Sequence, residues 1–295
     1  MNLIIETDIG GDPDDIFALL YLINAGVNIK AIVVSPGHPS QIGLAKLVLS
    51  YVGLNIPVGA SSKGMISDKK DYSGFYEQFS KLGPINQKAD ALGYELIEEV
   101  MKNDPKVAFF GIGPLKNFGE YILRNPYSCI DSFFMQGGFL GYDCHSDTKV
   151  IRLEKFEGMV TCPSFNPNGD KKAFLALVNA NIRDRRFISK NICHGVIFDS
   201  SRYNDLVGYW ENKEITKAYE MFIKACSLYG METHSKKFHD PTAAVCMLHP
   251  EIANWVDGKP YIAKGKCGVD TSQSGSRIAS SLDNDRLWEY IYAGE

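Results

Sequence analysis

The stretch of residues 6–20, ETDIGGDPDDIFALL, holds the side chains best suited to chemistry. Four carboxylates fall within eight residues of it, namely Asp8, Asp12, Asp14 and Asp15. Carboxylates this close repel one another and raise one another's pKa values unless a positive charge lies among them. A hard divalent cation resolves the repulsion, and calcium takes about six to eight oxygen ligands. The pattern therefore favours a metal or sugar-binding site.

Helix capping is the simpler explanation for part of this cluster. An Asp at the start of a helix accepts hydrogen bonds from free backbone amides and interacts favourably with the helix dipole. That explains Asp14 or Asp15, because a helix-period apolar pattern begins there. It does not explain Asp8 at the end of an apolar strand, or Asp12 before a proline.

The elements around this loop predict an α/β fold. Apolar runs of strand length alternate with amphipathic segments, as in a mostly parallel open sheet with helices on both faces. We expect one domain over residues 1–295, with the loop at the carboxyl edge of the sheet. The predicted strands are 3–7, 30–35, 57–60, 107–111, 132–136 and 192–198. The predicted helices are 14–25, 41–52, 89–102, 115–124, 171–180, 213–229, 240–248 and 284–293.

The composition excludes several classes of protein. With 31 basic and 35 acidic residues the net charge is −4, and there is no basic block for nucleic acid to bind. No apolar run approaches the roughly 20 residues that cross a bilayer, and residues 1–12 do not resemble a signal peptide. The 7 cysteines are scattered, as expected for reduced thiols. We expect a cytoplasmic protein without nucleic-acid or membrane partners.

The acidic stretch resembles the N-terminal signature of the inosine-uridine preferring nucleoside hydrolases. In that signature a strand-end Asp, a Gly and an Asp-Asp pair precede a helix that contains Ala-Leu. The matching residues here are Asp8, Gly10, Asp14, Asp15, Ala18 and Leu19. Two extra residues separate Asp8 from the pair and bring in Asp12, so either Asp12 or Asp14 could bind the sugar.

Four later segments are similar to the family in the same order along the chain. FFGIGPLKN at 109–117 places Ile112 where a backbone carbonyl binds calcium in the family. FFMQGGF at 133–139 resembles the Met-Gly-Gly strand end. PSFNPNGD at 163–170 places Asn166 on an Asn that grips the ribose, and KFHDP at 237–241 places His239 and Asp240 at the site.

The resemblance implies a divergent calcium-dependent N-glycosyl hydrolase, in which a metal-bound water attacks the sugar as the base departs. It makes Asp8 the general base, and the metal ligands are then Asp8, Asp15, Asp240 and the Ile112 carbonyl. Asp12 or Asp14 together with Asn166 would bind the sugar hydroxyls, and His239 would lie near the leaving group. Family members also form homodimers or homotetramers, so we expect a homo-oligomer.

Several positions depart from the family pattern and point to altered specificity. Ser164 stands where the family has a Glu that grips the sugar, and His38 stands where it has an Asn near the sugar. Aromatic side chains are candidates to stack on the base, namely Tyr72, Phe75, Tyr76 and Tyr229, with His234 close by. A modified sugar, a changed 5′ substituent or a loss of turnover would each fit these changes.

Two other functional classes compete with the hydrolase. A non-catalytic sugar- or nucleoside-binding protein on the same scaffold would keep the cation but lack turnover. An Asp-based phosphatase is the weaker alternative, because Glu6 stands where the first Asp of its strand-end Asp-x-Asp motif belongs.

Overall fold

A computed structural model describes residues 1–61, 87–144 and 153–295. Within these residues the chain forms a 10-stranded sheet in the order β11-β10-β12-β7-β6-β5-β1-β2-β3-β4, and a separate two-stranded sheet of β8 and β9. The strands are β1 (Asn2–Thr7), β2 (Asn28–Val34), β3 (Val58–Ala60), β4 (Ala91–Leu92), β5 (Ala108–Gly111), β6 (Ile130–Gln136), β7 (Ile182–Ile188), β8 (Ile197–Phe198), β9 (Lys236–Lys237), β10 (Ala253–Ala263), β11 (Lys266–Asp270) and β12 (Ser276–Leu282).

Helices connect most of these strands and cover both faces of the large sheet. They are α1 (Asp14–Asn24), α2 (Pro39–Tyr51), α3 (Gly93–Asn103), α4 (Lys116–Arg124), α5 (Phe165–Gly169), α6 (Lys171–Asn179), α7 (Lys190–Cys193), α8 (Ser200–Trp210), α9 (Lys217–Tyr229), α10 (His239–Leu248) and α11 (Asn284–Ala293). No helix in the described part of the chain is long and apolar enough to span a membrane.

Every neighbouring pair of strands from β4 across to β12 is parallel, while β10 pairs antiparallel with both β12 and β11. The central strand β1 is buried on both faces. Leu3 and Ile5 belong to one apolar cluster with α1, α2, α9 and α10, whereas Ile4 belongs to another with α3, α4 and α6. The predicted α/β architecture is therefore confirmed.

The topology explains why the acidic loop faces a crevice. The chain runs from β1 to β2 and β3 on one side, and then returns to build β5 and β6 on the other. At such a switch point the loops after the two adjacent parallel strands diverge and leave a ligand crevice at the carboxyl edge. The loops that follow β1 and β5 are the two that diverge here.

One predicted strand is wrong. Residues 192–198 form the end of α7 and the short β8, and the strand of the large sheet is β7 at Ile182–Ile188. Its sequence, IRDRRFI, carries too many charges to look buried. The structure accommodates them because Asp184 accepts hydrogen bonds from Arg186 at 2.7 Å, and the buried Arg185 donates to the Gly275 and Ala180 carbonyls, each at 2.7 Å.

The sequence pattern also did not predict α8 or the three strands β10, β11 and β12. The predicted base-stacking residues Tyr72, Phe75 and Tyr76 lie outside the described residues.

Glu6 joins three elements at the carboxyl end of β1. It is fully buried, and its Oε1 accepts hydrogen bonds from the Asn117 backbone N–H at 2.7 Å and side-chain amide at 2.9 Å, and from Ser35. Its Oε2 accepts from the Phe118 backbone N–H at 2.8 Å. The Glu6 side chain, on β1, therefore caps the amino-terminal end of α4. Burial outweighs these bonds and raises its pKa to about 7.

Close packing of α4 on α6 gives the first prediction. A Cβ atom on Gly119 would lie 2.2 Å from the Ala173 Cβ and 2.6 Å from its Cα. We expect Gly119→Ala to lower the free energy of unfolding by about 1–3 kcal/mol through overpacking. Gly208→Ala is the matched control, because its Cβ would meet nothing within 4 Å, and it should raise that free energy by up to about 1 kcal/mol. Urea denaturation measures both; equal effects would contradict the packing argument.

The raised pKa of Glu6 predicts how stability depends on pH. A carboxyl whose pKa is higher in the folded than in the unfolded state binds more protons when folded, so stability falls as pH rises between the two values. For Glu6 that window runs from 4.5 to about 7. With chelator present, unfolding free energy should fall more steeply with pH in the wild type than in Glu6→Gln, by up to about 1 kcal/mol per pH unit. Glu120→Gln, on the outer side of α4, is the control, and parallel curves for wild type and Glu6→Gln would refute the assignment.

Candidate functional site

Two glycines allow the loops that follow β1 and β5 to pack closely together. Gly10 has a φ of 111°, a backbone conformation that favours glycine. Gly113, in the loop after β5, packs so closely that a Cβ there would lie 2.6 Å from the Asp8 backbone nitrogen. The Ile112 N–H donates to the Glu6 carbonyl at 2.8 Å. These contacts hold the Ile112 backbone beside Asp8.

A cavity of about 370 Å³ opens at this edge of the sheet. It is lined by Asp8, Gly11, Asp12, Asp14, Asp15, Ile112, Gln136, Phe165, Asn166, His239 and Asp240. The predicted metal ligands and most of the predicted sugar-binding residues therefore share one cavity. A larger cavity of about 540 Å³ lies between α6 and the strands β10 and β11, away from all of these residues.

Asp14 is held by the start of α10. It is buried, and its Oδ2 accepts hydrogen bonds from the backbone N–H groups of His239 at 3.0 Å and Asp240 at 3.3 Å. Lys236, on β9, lies 3.7 Å from the same oxygen. The other oxygen, Oδ1, is buried without a hydrogen-bond partner among the described residues. Burial, opposed by Lys236 and reinforced by Asp12 and Asp15, raises the Asp14 pKa to about 8.

The carboxyl groups of the cavity raise one another's pKa values. Burial and then the charge of Asp12 raise the pKa of Asp8 to about 8. Burial and Asp8 raise the pKa of Asp15, whose carboxylate accepts a hydrogen bond from the Thr7 hydroxyl. Burial and Asp14 likewise raise the pKa of Asp240. These carboxyl groups therefore favour any positive charge that enters the cavity.

Asp12 differs from the other members of the cluster. Its side chain is 48% exposed, and it forms an ion pair with the Lys236 ammonium at 2.8 Å. Its Oδ1 also accepts a hydrogen bond from the Asp14 backbone N–H at 3.0 Å. Asp12 therefore positions Lys236 and the first turn of α1, at the rim of the cavity.

Asn166, on α5, lines the cavity next to Ile112 and Gln136. Its side-chain amide donates to the Ile112 carbonyl at 3.0 Å, to the Gln136 carbonyl at 3.2 Å and to the Gln136 Oε1 at 2.9 Å. Sequence reasoning missed Gln136. The available signal was a polar residue at the carboxyl end of a buried strand, directly before two glycines at φ 144° and 85°.

Three predicted substrate-binding residues do not line this cavity. The Ser164 hydroxyl accepts a hydrogen bond from the Gly138 N–H at 3.1 Å. His38 caps α2: its Nδ1 accepts from the Ser40 N–H, and the Gln41 side chain completes the capping box. Tyr229 ends α9 and lies 6.4 Å from the His234 ring, centroid to centroid.

His239 forms one wall through its ring. The ring stacks on His194 with 5.1 Å between centroids, and its Nε2 is buried without a hydrogen-bond partner in the described residues. Burial and the charge of Lys236 lower its pKa to about 4. The imidazole is therefore neutral at pH 7, available to donate or accept one hydrogen bond to a ligand.

The donor chemistry fits a hard divalent cation. Five aspartates and Ile112 line the cavity, and such ions prefer oxygen ligands. The raised carboxyl pKa values and the unpartnered Asp14 oxygen also indicate a missing positive charge. Within the described ranges, however, no three His, Cys, Asp or Glu side chains are arranged so that together they could hold a metal ion.

Comparisons with known proteins show the family of this chain. The family model described as inosine-uridine preferring nucleoside hydrolase matches residues 3–289. An uncharacterized protein of Aquifex aeolicus (strain VF5) is 26% identical over 297 aligned residues, which cover 97% of this chain and 96% of that protein.

Solved structures of nucleoside hydrolases are similar in fold. A plant nucleoside hydrolase matches with a TM-score of 0.77 at 17% identity, covering 99% of this chain and 98% of that one. An inosine-uridine preferring nucleoside hydrolase of Bacillus anthracis matches with a TM-score of 0.73 at 15% identity, covering 99% and 98%. Together with the family model and the acidic cavity after β1, these matches identify the chain as a member of the inosine-uridine preferring nucleoside hydrolase family of N-glycosyl hydrolases.

Proposed function

We propose that this protein hydrolyses the N-glycosidic bond of a nucleoside or modified nucleoside in a calcium-dependent reaction that releases the base and the sugar. The observation that carries the proposal is that Asp8, Asp15, Asp240, Ile112 and Asn166 line one cavity. Such a cavity offers oxygen ligands to a cation and hydrogen-bonding groups to a sugar.

The proposed ion supplies a positive charge that lowers the pKa of a water molecule in its coordination shell. Asp8, Asp15, Asp240 and the Ile112 carbonyl would hold it. Asp8 is the proposed general base, because its carboxyl group lines the cavity and would lie beside a water molecule bound to the proposed ion. The attack of water on the anomeric carbon then breaks the bond to the base.

The contacts of Asp12 and Asp14 favour Asp14 as the sugar-binding residue. Asp14 is buried, lines the cavity and has one oxygen without a hydrogen-bond partner among the described residues. Two backbone N–H groups fix its other oxygen, so its position does not depend on substrate. Asp12 is half exposed and already paired with Lys236. In this proposal Asp14 and Asn166 bind sugar hydroxyls, and His239 borders the departing base.

Activity provides the first test. Release of reducing sugar would be measured with a panel of purine, pyrimidine and modified nucleosides in calcium, comparing wild type with Asp8→Asn. We expect kcat to fall by about a hundredfold or more, as for loss of a general base. Asp257→Asn, an exposed change on β10, is the matched control and should keep wild-type activity.

Tight nucleoside binding without hydrolysis of any substrate in the panel would contradict the proposed hydrolase activity. It would support the non-catalytic binding protein instead.

Cation binding provides a second, independent test. Calcium should raise the free energy of unfolding by about 2.7 kcal/mol at a concentration a hundredfold above its Kd. The effect should be larger at pH 8 than at pH 5, because the ligands Asp8, Asp15 and Asp240 have raised pKa values and must lose their protons first. Asp240→Asn should remove the effect and Asp257→Asn should keep it. Thermal melts with calcium, magnesium or chelator measure it, and an equal response of both variants would argue against this site.

Three other expectations stay predictions. The family resemblance predicts a homodimer or homotetramer, whereas composition and charge predict a cytoplasmic location and no nucleic-acid partner.

A further inference from the structure

A second cavity adjoins the acidic one. It has a volume of about 460 Å³ and is lined by Pro163, Ser164, Phe165, Asn168, Gly169 and Lys190. Phe165 lines both cavities and is 68% exposed, so the two meet at its ring. Asn166, the next residue of α5, belongs to the first cavity, and Ser164 belongs to the second. A ligand bound by Asn166 can therefore extend past Phe165 toward Lys190.

The electrostatic character changes between the two cavities. Lys190 lines the second cavity, and its ammonium is fixed by a hydrogen bond to the Pro163 carbonyl at 2.8 Å. The Phe156 ring lies beneath both Lys190, at 5.8 Å, and Lys155, at 5.0 Å from ring centroid to ammonium. Lys155 also contacts the His194 Nδ1, and that ring stacks on His239 of the first cavity.

In the described ranges no carboxylate forms an ion pair with Lys155, Lys190 or Lys237. Burial, and then the positive charges of Lys237 and Lys190, lower the pKa of Lys155, so these two lysines repel it. Burial, His239 and these lysines also lower the pKa of His194 to about 3. An anion placed among them would relieve this repulsion.

We propose that the cavity formed by Ser164, Phe165 and Lys190, together with Lys155 and Lys237, binds a phosphate ester on the sugar of the substrate. The proposal rests on the proposed function, because the sugar itself would occupy the acidic cavity. Three ammonium groups suit a dianion better than a neutral hydroxyl. Ser164 is consistent with this role, since a carboxylate at its position would oppose the bound phosphate.

Binding of ribose 5-phosphate and ribose to the calcium-loaded protein tests the proposal without requiring turnover. Isothermal titration calorimetry should show ribose 5-phosphate binding about tenfold tighter or more, as for one charge-assisted contact. Lys190→Ala should weaken ribose 5-phosphate by about tenfold and leave ribose unchanged, while Lys190→Arg should keep the preference. Lys106→Ala, an exposed change near the amino end of β5, is the matched control. Equal affinity for the two sugars would overturn the proposal.

Steady-state kinetics test which part of the substrate carries the negative charge that Lys190 binds. In the wild type, kcat/KM should be higher for uridine 5′-monophosphate than for uridine, and Lys190→Ala should reduce that preference. A preference for orotidine, whose base carries a carboxylate, with none for the 5′-phosphate, would place the anion on the leaving group and overturn the proposal. If no substrate is hydrolysed but ribose 5-phosphate binding depends on Lys190, the proposed function fails and the phosphate site stands.

Discussion

The crowding of carboxyl groups at the end of β1 is the constraint on which the rest of the site depends. Asp8, Asp14, Asp15 and Asp240 lie in one cavity, and burial, reinforced by neighbouring carboxylates, raises the pKa of each. Neighbouring groups offset part of this cost. Lys236 supplies a positive charge, the first turn of α10 donates backbone N–H groups, and Thr7 donates its hydroxyl. The uncompensated part of this cost lowers the stability of the folded protein, and a bound positive ligand would offset it.

Glu6 and Asp8 show how two acids near the end of one strand come to lie in different surroundings. Four donors, from Ser35 after β2 and from α4, enclose Glu6, so it ties the sheet to a helix. Asp8 lies beyond the last residue of β1 and lines the cavity. The strand end thus separates an acid bonded within the fold from one that lines the cavity. Asp14 and Asp12 also differ in their surroundings. Asp14 is buried and accepts hydrogen bonds from the backbone of α10, whereas Asp12 is half exposed and pairs with Lys236 at the rim of the cavity.

The sequence predicted the architecture and the acidic loop well, because both depend on local patterns: buried apolar runs, helix periods and an unusual density of Asp. It failed where tertiary partners decide. The charges of β7 find partners only in the folded sheet, so its sequence did not resemble a buried strand. Gln136 reaches the site only because β6 ends beside α5. His38 and Ser164 match family positions, yet their side chains are hydrogen-bonded to backbone groups, which no spacing along the chain could reveal.

The amide of Asn166 has a further consequence for the cavity. An amide nitrogen carries two hydrogens, but here it lies within bonding distance of three acceptors, namely the Ile112 carbonyl and both oxygens of Gln136. One acceptor must therefore share a hydrogen or go without. The Ile112 carbonyl can turn toward another positive partner while Asn166 keeps both of its hydrogens bonded to Gln136. The Ile112 carbonyl oxygen can thus bind a cation or another donor while the Asn166 amide keeps two hydrogen bonds.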